Sequence, residues 1–190
     1  MHPIVDEMDD PDSFLSMLGL KGQESEAAIF AALRSSHEDS FVDLSRQRGS
    51  VTERVGATRA ALTQRPTVIY QAPLAGNGFY GVADFLVRIN ETSDGTETGR
   101  YMVWDAKLGR HPRPSHVLQL CCYSEMLSQL QDAPVHYAGL ILGASPLVVR
   151  LESYNALFRQ IRARFLKAQE TFDGSLESVP IPCVPRSIEN

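Results

Sequence analysis

The sequence predicts an α/β protein with a mixed central β-sheet flanked by helices, and three observations carry that expectation. Runs rich in β-branched and aromatic residues are bounded by turn-forming residues, as strands require, and other segments repeat apolar residues at helical spacing. Their order is helices, three strands, a helix, two strands and a last helix, an order suited to helices packed on a sheet. A chain of 190 residues, 43% apolar and 22% charged, is long enough for one globular domain with a sizeable core.

Taken in order, residues 1–22 form an acidic segment, and the core is expected over 24–152. One long helix is predicted over Ser25–Arg48, stopped by Gly49, and a second over Val51–Leu62, ending before Pro66. Strands follow at Thr67–Pro73, Phe79–Ile89 and Tyr101–Lys107. The polar, glycine-bearing stretch Asn90–Gly99 suits a long hairpin connection between the last two, which predicts that they pair. A helix over Pro114–Leu130 precedes strands at His136–Leu142 and Leu147–Glu152. A C-terminal helix over Tyr154–Phe172, within the segment 153–173, leads to a proline-containing tail at 174–190. No internal repeat is present.

The formal net charge of −5 argues against a protein that coats nucleic acid by charge alone, because such binding depends on many Lys and Arg neutralising phosphates. Basic residues nevertheless cluster at Lys107, Arg110, His111 and Arg113, and again at Arg159, Arg162, Arg164 and Lys167. The first cluster suits steering of a phosphate backbone; the second equally suits the solvated face of a helix. No apolar run reaches the length of a membrane span, and the first residues are acidic rather than a basic signal region, so no membrane partner and a cytoplasmic location are expected. Cys121 and Cys122 are adjacent on a helix and Cys183 stands near the end, a pattern of reduced thiols rather than of a disulfide framework.

The densest chemistry lies between Gly81 and Tyr123. Asp84 falls on one predicted strand and Asp105-Ala106-Lys107 on the next. Residues two apart on a strand share a face, so Asp105 and Lys107 project together and Ala106 points away. Phe85, Leu86 and Val87 surround Asp84, and Met102, Val103 and Trp104 lead into Asp105, so both acids are expected in largely buried surroundings. An isolated Asp-x-Lys is more often a solvated ion pair, but buried carboxylates require a partner or a metal. Carboxylate oxygens are the hard ligands that Mg²⁺ or Mn²⁺ prefers, and one or two carboxylates suffice for magnesium. A lysine beside them can orient the attacking water or stabilise charge building on a phosphoryl group. The pattern therefore suits a metal-dependent phosphodiester site.

Gly81-Val82-Ala83-Asp84, Asp105-Ala106-Lys107 and Gln119-Leu120-Cys121-Cys122-Tyr123 together resemble motifs II, III and IV of the PD-(D/E)xK nuclease superfamily, in its RecB-like branch, which includes CRISPR-associated exonucleases. The Q-x-x-x-Y element on the following helix is the discriminating part, because D-x-K alone is widespread. The resemblance covers roughly residues 24 to 152 and implies a restriction-endonuclease-like core. Motif I of the branch, a His followed by Glu on an upstream helix, is matched by His37-Glu38. On a helical wheel His37 shares a face with Phe30, Leu33, Phe41 and Leu44, and Glu38 is rotated by about 100°. On that face alone His37 is more often a core residue than a ligand. By resemblance, His37, Asp84 and Asp105 with the backbone carbonyl of Ala106 are metal ligands, Glu38 is an alternative acid, and Lys107 assists water. Gln119 and Tyr123, with His116 one turn earlier and Arg110 nearby, are the implied DNA contacts.

What the resemblance implies is a metal-dependent deoxyribonuclease, exonuclease-like, acting on single-stranded or end-containing DNA in repair, recombination or defence. RecB-like relatives often carry a C-terminal cysteine cluster for an iron–sulfur centre, which needs four thiolates. Beyond Gly174 this chain has only Cys183, so no iron–sulfur cluster is expected within it. Relatives also work with helicases or other repair proteins; the phosphate loop G-x-x-x-x-G-K-[ST] is absent here, so unwinding would fall to a partner. The competing expectation is a nucleic-acid-binding module of the same fold that is catalytically inactive or depends on a partner.

Overall fold

The computed structural model describes residues 26–89, 99–107, 109, 111–142 and 145–172, with the backbone of 92–93 and 96–97. The acidic segment over 1–22, the tail over 174–190 with Cys183, and Arg110 lie outside the described residues.

The chain enters through α1 (Glu26–Ser36), which gives way to a short 3₁₀ turn (Glu38–Ser40) and then to β1 (Phe41–Asp43). This corrects the single long helix predicted over Ser25–Arg48. Ser35, Ser36, Asp39 and Ser40 offer the backbone hydrogen bonds that compete with helix, and Phe41-Val42 is better used in a sheet. Thr67 fixes the change of direction, its backbone N–H donating to Ser40 O at 2.8 Å and its hydroxyl meeting Ser40 Oγ at 3.0 Å. β1 then pairs in parallel with the next strand, Phe41 opposite Val68. Phe41 and Leu44 therefore share no helical face with His37.

Helix α2 (Val51–Gln64) begins with a capping box: Ser50 Oγ accepts from Glu53 N, and Glu53 Oε2 accepts from Ser50 N at 2.8 Å. Strands β2 (Val68–Gly76) and β3 (Phe79–Ile89) form a hairpin around Asn77-Gly78, both with positive φ (52° and 82°), the conformation that a two-residue turn needs to match strand twist. The connection after β3 carries a minimal ladder, β4 (Thr92–Ser93) with β5 (Thr96–Glu97), before β6 (Arg100–Lys107) returns antiparallel to β3. Helix α3 (Pro114–Gln131), strands β7 (Tyr137–Leu142) and β8 (Ser145–Arg150), and helix α4 (Glu152–Thr171) complete the order.

The main sheet has six strands in the order β1-β2-β3-β6-β7-β8; β1/β2 and β6/β7 are parallel and the other neighbours antiparallel. Its two faces are separately covered. On one, Ile69, Leu86, Val103 and Leu140 meet α2, α3 and α4 through Ala61, Leu120, Leu127 and Phe158. On the other, Val68, Phe85, Met102 and Trp104 pack against Ile29 and Leu33 of α1. The α/β class and the flanked mixed sheet are as expected, and no helix among the described residues is long and apolar enough to cross a membrane.

Candidate functional site

Antiparallel pairing of β3 with β6 in the register Phe85↔Trp104 sets Asp84 opposite Asp105, one step beyond the end of the ladder. The strands remain tied there because the Ala106 N–H donates to Asp84 Oδ2 at 2.9 Å. Asp105 is 1% exposed, at the end of the buried run Tyr101–Trp104, and the Lys107 Nζ lies 2.6 Å from Asp105 Oδ2. The buried Oδ2 is thus held by the charge of a single ammonium. Ala106 faces the α1 side of the sheet, so the alternation of the three residues is as predicted.

Asp84 cannot be an ordinary carboxylate in this position. Burial, followed by the charge of Asp105, pushes its pKa up from 3.8 to about 7; the charge of Glu26 and a hydrogen bond shared with Asp105 add to the rise, and the Ala106 N–H opposes it. Near neutral pH the pair therefore holds a proton that a cation would displace.

A third acid, not anticipated, completes the surroundings. Glu26, in the first turn of α1, accepts from Tyr70 Oη at 3.0 Å and from Gln71 Nε2 at 2.9 Å, and the same Gln71 nitrogen reaches Asp84 Oδ1 at 3.3 Å. Burial and the adjoining Glu26 raise the Tyr70 phenol to about 12, which keeps it a donor. The expected motif I pair stands elsewhere: His37 sits in the turn after α1 with Nε2 buried and without a hydrogen bond, and Glu38 is exposed. Neither shares a hydrogen bond or ion pair with Asp84 or Asp105. The sequence signal for Glu26 is weak, an acid in a first helical turn, because its partners Tyr70 and Gln71 lie 44 and 45 residues away.

On α3, Gln119 Nε2 donates to Tyr123 Oη at 3.1 Å, so the two residues of the Q-x-x-x-Y element act as one unit. Tyr123 reaches β3 at Gly81: a Cβ there would come within 2.5 Å of the Tyr123 ring, so the first residue of the Gly81–Asp84 motif is a seat for the tyrosine. His116 Nδ1 accepts from the Arg113 N–H at 3.3 Å at the start of the helix. His111 and Arg113 are exposed. In the second basic cluster Arg162 pairs with Glu125, while Arg159, Arg164 and Lys167 are exposed on α4. Cys121 and Cys122 are free thiols, both raised by burial, Cys121 to about 11.

Among the described residues no group of three or more His, Cys, Asp or Glu side chains stands in a metal-holding arrangement. The Asp84–Asp105 pair fits a hard divalent cation on other grounds: two carboxyls face each other, Asp105 buried and Asp84 half-buried with its ionisation resisted by its neighbour, and magnesium asks no more than one or two protein carboxylates beside water. No protein-family model matches the sequence, and no curated protein matches it.

Proposed function

We propose that this protein is a metal-dependent deoxyribonuclease of the restriction-endonuclease-like class, hydrolysing phosphodiester bonds of single-stranded or end-containing DNA. The observation that carries the proposal is the juxtaposition of Asp84, Asp105 and Lys107 where β3 and β6 part, a buried acid confronted by a half-buried acid and a half-buried ammonium. Asp84 and Asp105 would hold Mg²⁺ or Mn²⁺, with Glu26, linked to Asp84 through Gln71, a further carboxylate. The ion, when bound, supplies Lewis-acid stabilisation of charge on the phosphoryl and leaving oxygens.

The remaining tasks belong to the chain. Lys107, anchored by Asp105, orients the attacking water and offers a proton donor beside the phosphoryl oxygens. Asp84, with its raised pKa, gives up its proton near neutrality and becomes the anion the site requires. Gln119 and Tyr123 present an amide and a hydroxyl fixed to one another and seated on β3, suited to holding a phosphate or base of the strand.

Cleavage of end-labelled single-stranded and duplex DNA tests the proposal, with Mg²⁺, Mn²⁺ or EDTA and with wild type, Asp105→Ala and Lys107→Ala. Metal-dependent cutting by wild type alone is expected. DNA binding without cutting, indifferent to Asp105→Ala, would instead identify a binding module.

A further inference from the structure

Four non-glycine residues among those described have positive φ: Arg65 and Asp132 end helices, Asn77 forms the hairpin turn, and Gln71 (φ 51°) lies inside β2. A left-handed glutamine within a strand costs on the order of 1–3 kcal/mol and persists only where its surroundings impose it. The pairing is interrupted at the same point. Tyr70 pairs with Phe85 and Ala72 with Ala83, while Gln71 and Asp84, which face each other between these pairs, form no ladder pair.

The sheet's alternation slips there too. Ile69 and Ala72 both pack on the α3 side although three apart, and so do Ala83 and Leu86. Both strands thus step by one residue at Gln71 and Asp84, freeing the two side chains from the apolar layers and letting the Gln71 amide reach Glu26 on α1.

What the strained residue does is specific. A primary amide nitrogen has two protons, and Gln71 points its nitrogen at two carboxylates from different elements, Glu26 Oε1 at 2.9 Å and Asp84 Oδ1 at 3.3 Å. The positive end of its dipole thus stands between two acids, where a bridging cation would gain most. The other Asp84 oxygen is committed to the Ala106 N–H, part of the β6 backbone. The longer Gln71 bond is therefore the exchangeable one. Glu26 stays oriented by Tyr70 Oη when the amide leaves.

Resting on the metal-site proposal above, we infer that Gln71 is a positioning residue that serves as a placeholder: in the metal-free protein its amide bridges Glu26 and Asp84, and the ion enters by displacing it from Asp84. Gln71 then supports the apo fold and weakens metal binding at once, a combination that ordinary packing does not produce.

The test is calorimetric titration of the metal-free 190-residue chain with MnCl₂, together with its Tm in EDTA, for wild type, Gln71→Met and Gln71→Asn. Met keeps the length without a donor. Asn tolerates the left-handed backbone and stops a methylene short, so it remains informative should the Met variant fail to fold. The expected result is a lower Tm in EDTA with a Kd for Mn²⁺ tightened by about tenfold, the factor associated with loss of one competing charge-assisted hydrogen bond. Lower stability with unchanged or weaker Mn²⁺ binding would make Gln71 merely structural and overturn the placeholder. A wild type that takes up no Mn²⁺ would overturn the metal site itself, and the placeholder with it.

Discussion

Where β6 meets β7, the Trp104 ring lies against Gly139, its directly paired neighbour, and any side chain at 139 would meet ring carbons at 2.1–2.4 Å. Where β2 meets β3, Gln71 and Asp84 face each other without ladder hydrogen bonds, one with a left-handed backbone and the other with a carboxyl whose ionisation is resisted. The first place is held by shape: ring against backbone in a fully apolar layer. The second is held by polar contacts among groups that would each be more stable in water. Asp105 directly follows Trp104, so the two modes meet in the site. One acid follows a packed aromatic ring on its own strand, and the other faces a strained glutamine on the next. Packing thus fixes the reference point, while the longer of the Gln71 contacts, to Asp84 at 3.3 Å, stands opposite it.

The largest effect is expected at the shape-held end. Gly139→Ala should destabilise the protein by about 3 kcal/mol, the upper part of the usual overpacking range, because the opposing atoms belong to a fully buried ring with no space to rotate. Urea unfolding should show a lower midpoint with an unchanged slope. Adding Trp104→Leu should recover part of the loss, since the second change removes the obstruction. Equal, additive losses from the two substitutions would deny the packing contact.

At the polar end the expected sign is opposite. Between about pH 4 and 7 the folded protein binds more protons at Asp84 than the unfolded chain does, because the folded pKa is raised from 3.8 to about 7. Stability from this group is therefore fully present below about pH 4, falls as pH rises through that window, and is flat above it. In EDTA, Asp84→Asn should remove that fall and exceed wild type in Tm at pH 8 by several degrees, with about 2–4 °C corresponding to each kcal/mol in a chain of this size. With Mn²⁺ the order should reverse, wild type gaining stability and the variant none. An Asp84→Asn protein less stable than wild type in EDTA at pH 8 would contradict the assigned strain.

How far the sequence foretold this difference follows from what each end depends on. The strand Phe79–Ile89 and the helix from Pro114 were legible because their periodicity and bounding residues are local, and the facing of Asp84 and Asp105 followed once β3 and β6 were expected to pair. β1 was not legible: Phe41 and Leu44 lie at helical intervals from Leu33 and His37, and a three-residue strand gains its identity only from its partner Val68–Tyr70. Glu26 was missed for the same reason, since a helix drawn to Arg48 puts its middle at His37 and leaves its first turn unremarked. Gln71 carried no signal at all. Its left-handed backbone accompanies contacts with Glu26 and Asp84, which lie 45 and 13 residues away in sequence.

Gly81 joins the two modes, a shape-held contact inside the polar site, and the effect expected there is the smallest in stability. Gly81→Ala puts a methyl group 2.5 Å from Tyr123 Cε1 and 3.0 Å from its hydroxyl, so the ring must move. Tyr123 is only half-buried, unlike Trp104, and can swing toward solvent at a cost of about 1 kcal/mol, the lower part of the overpacking range. Gln119 is bonded to that hydroxyl and is displaced with it. The carboxylates, tied by Ala106 and Lys107, do not depend on either residue. Mn²⁺ binding should therefore be unchanged, while affinity for single-stranded DNA, followed by fluorescence anisotropy with Ca²⁺ replacing Mg²⁺, should fall about tenfold, the equivalent of about 1.4 kcal/mol in lost contacts. Loss of Mn²⁺ binding in this variant would mean that the tyrosine supports the acids themselves, whereas unchanged DNA affinity would remove Gln119 and Tyr123 from the nucleic-acid contact altogether.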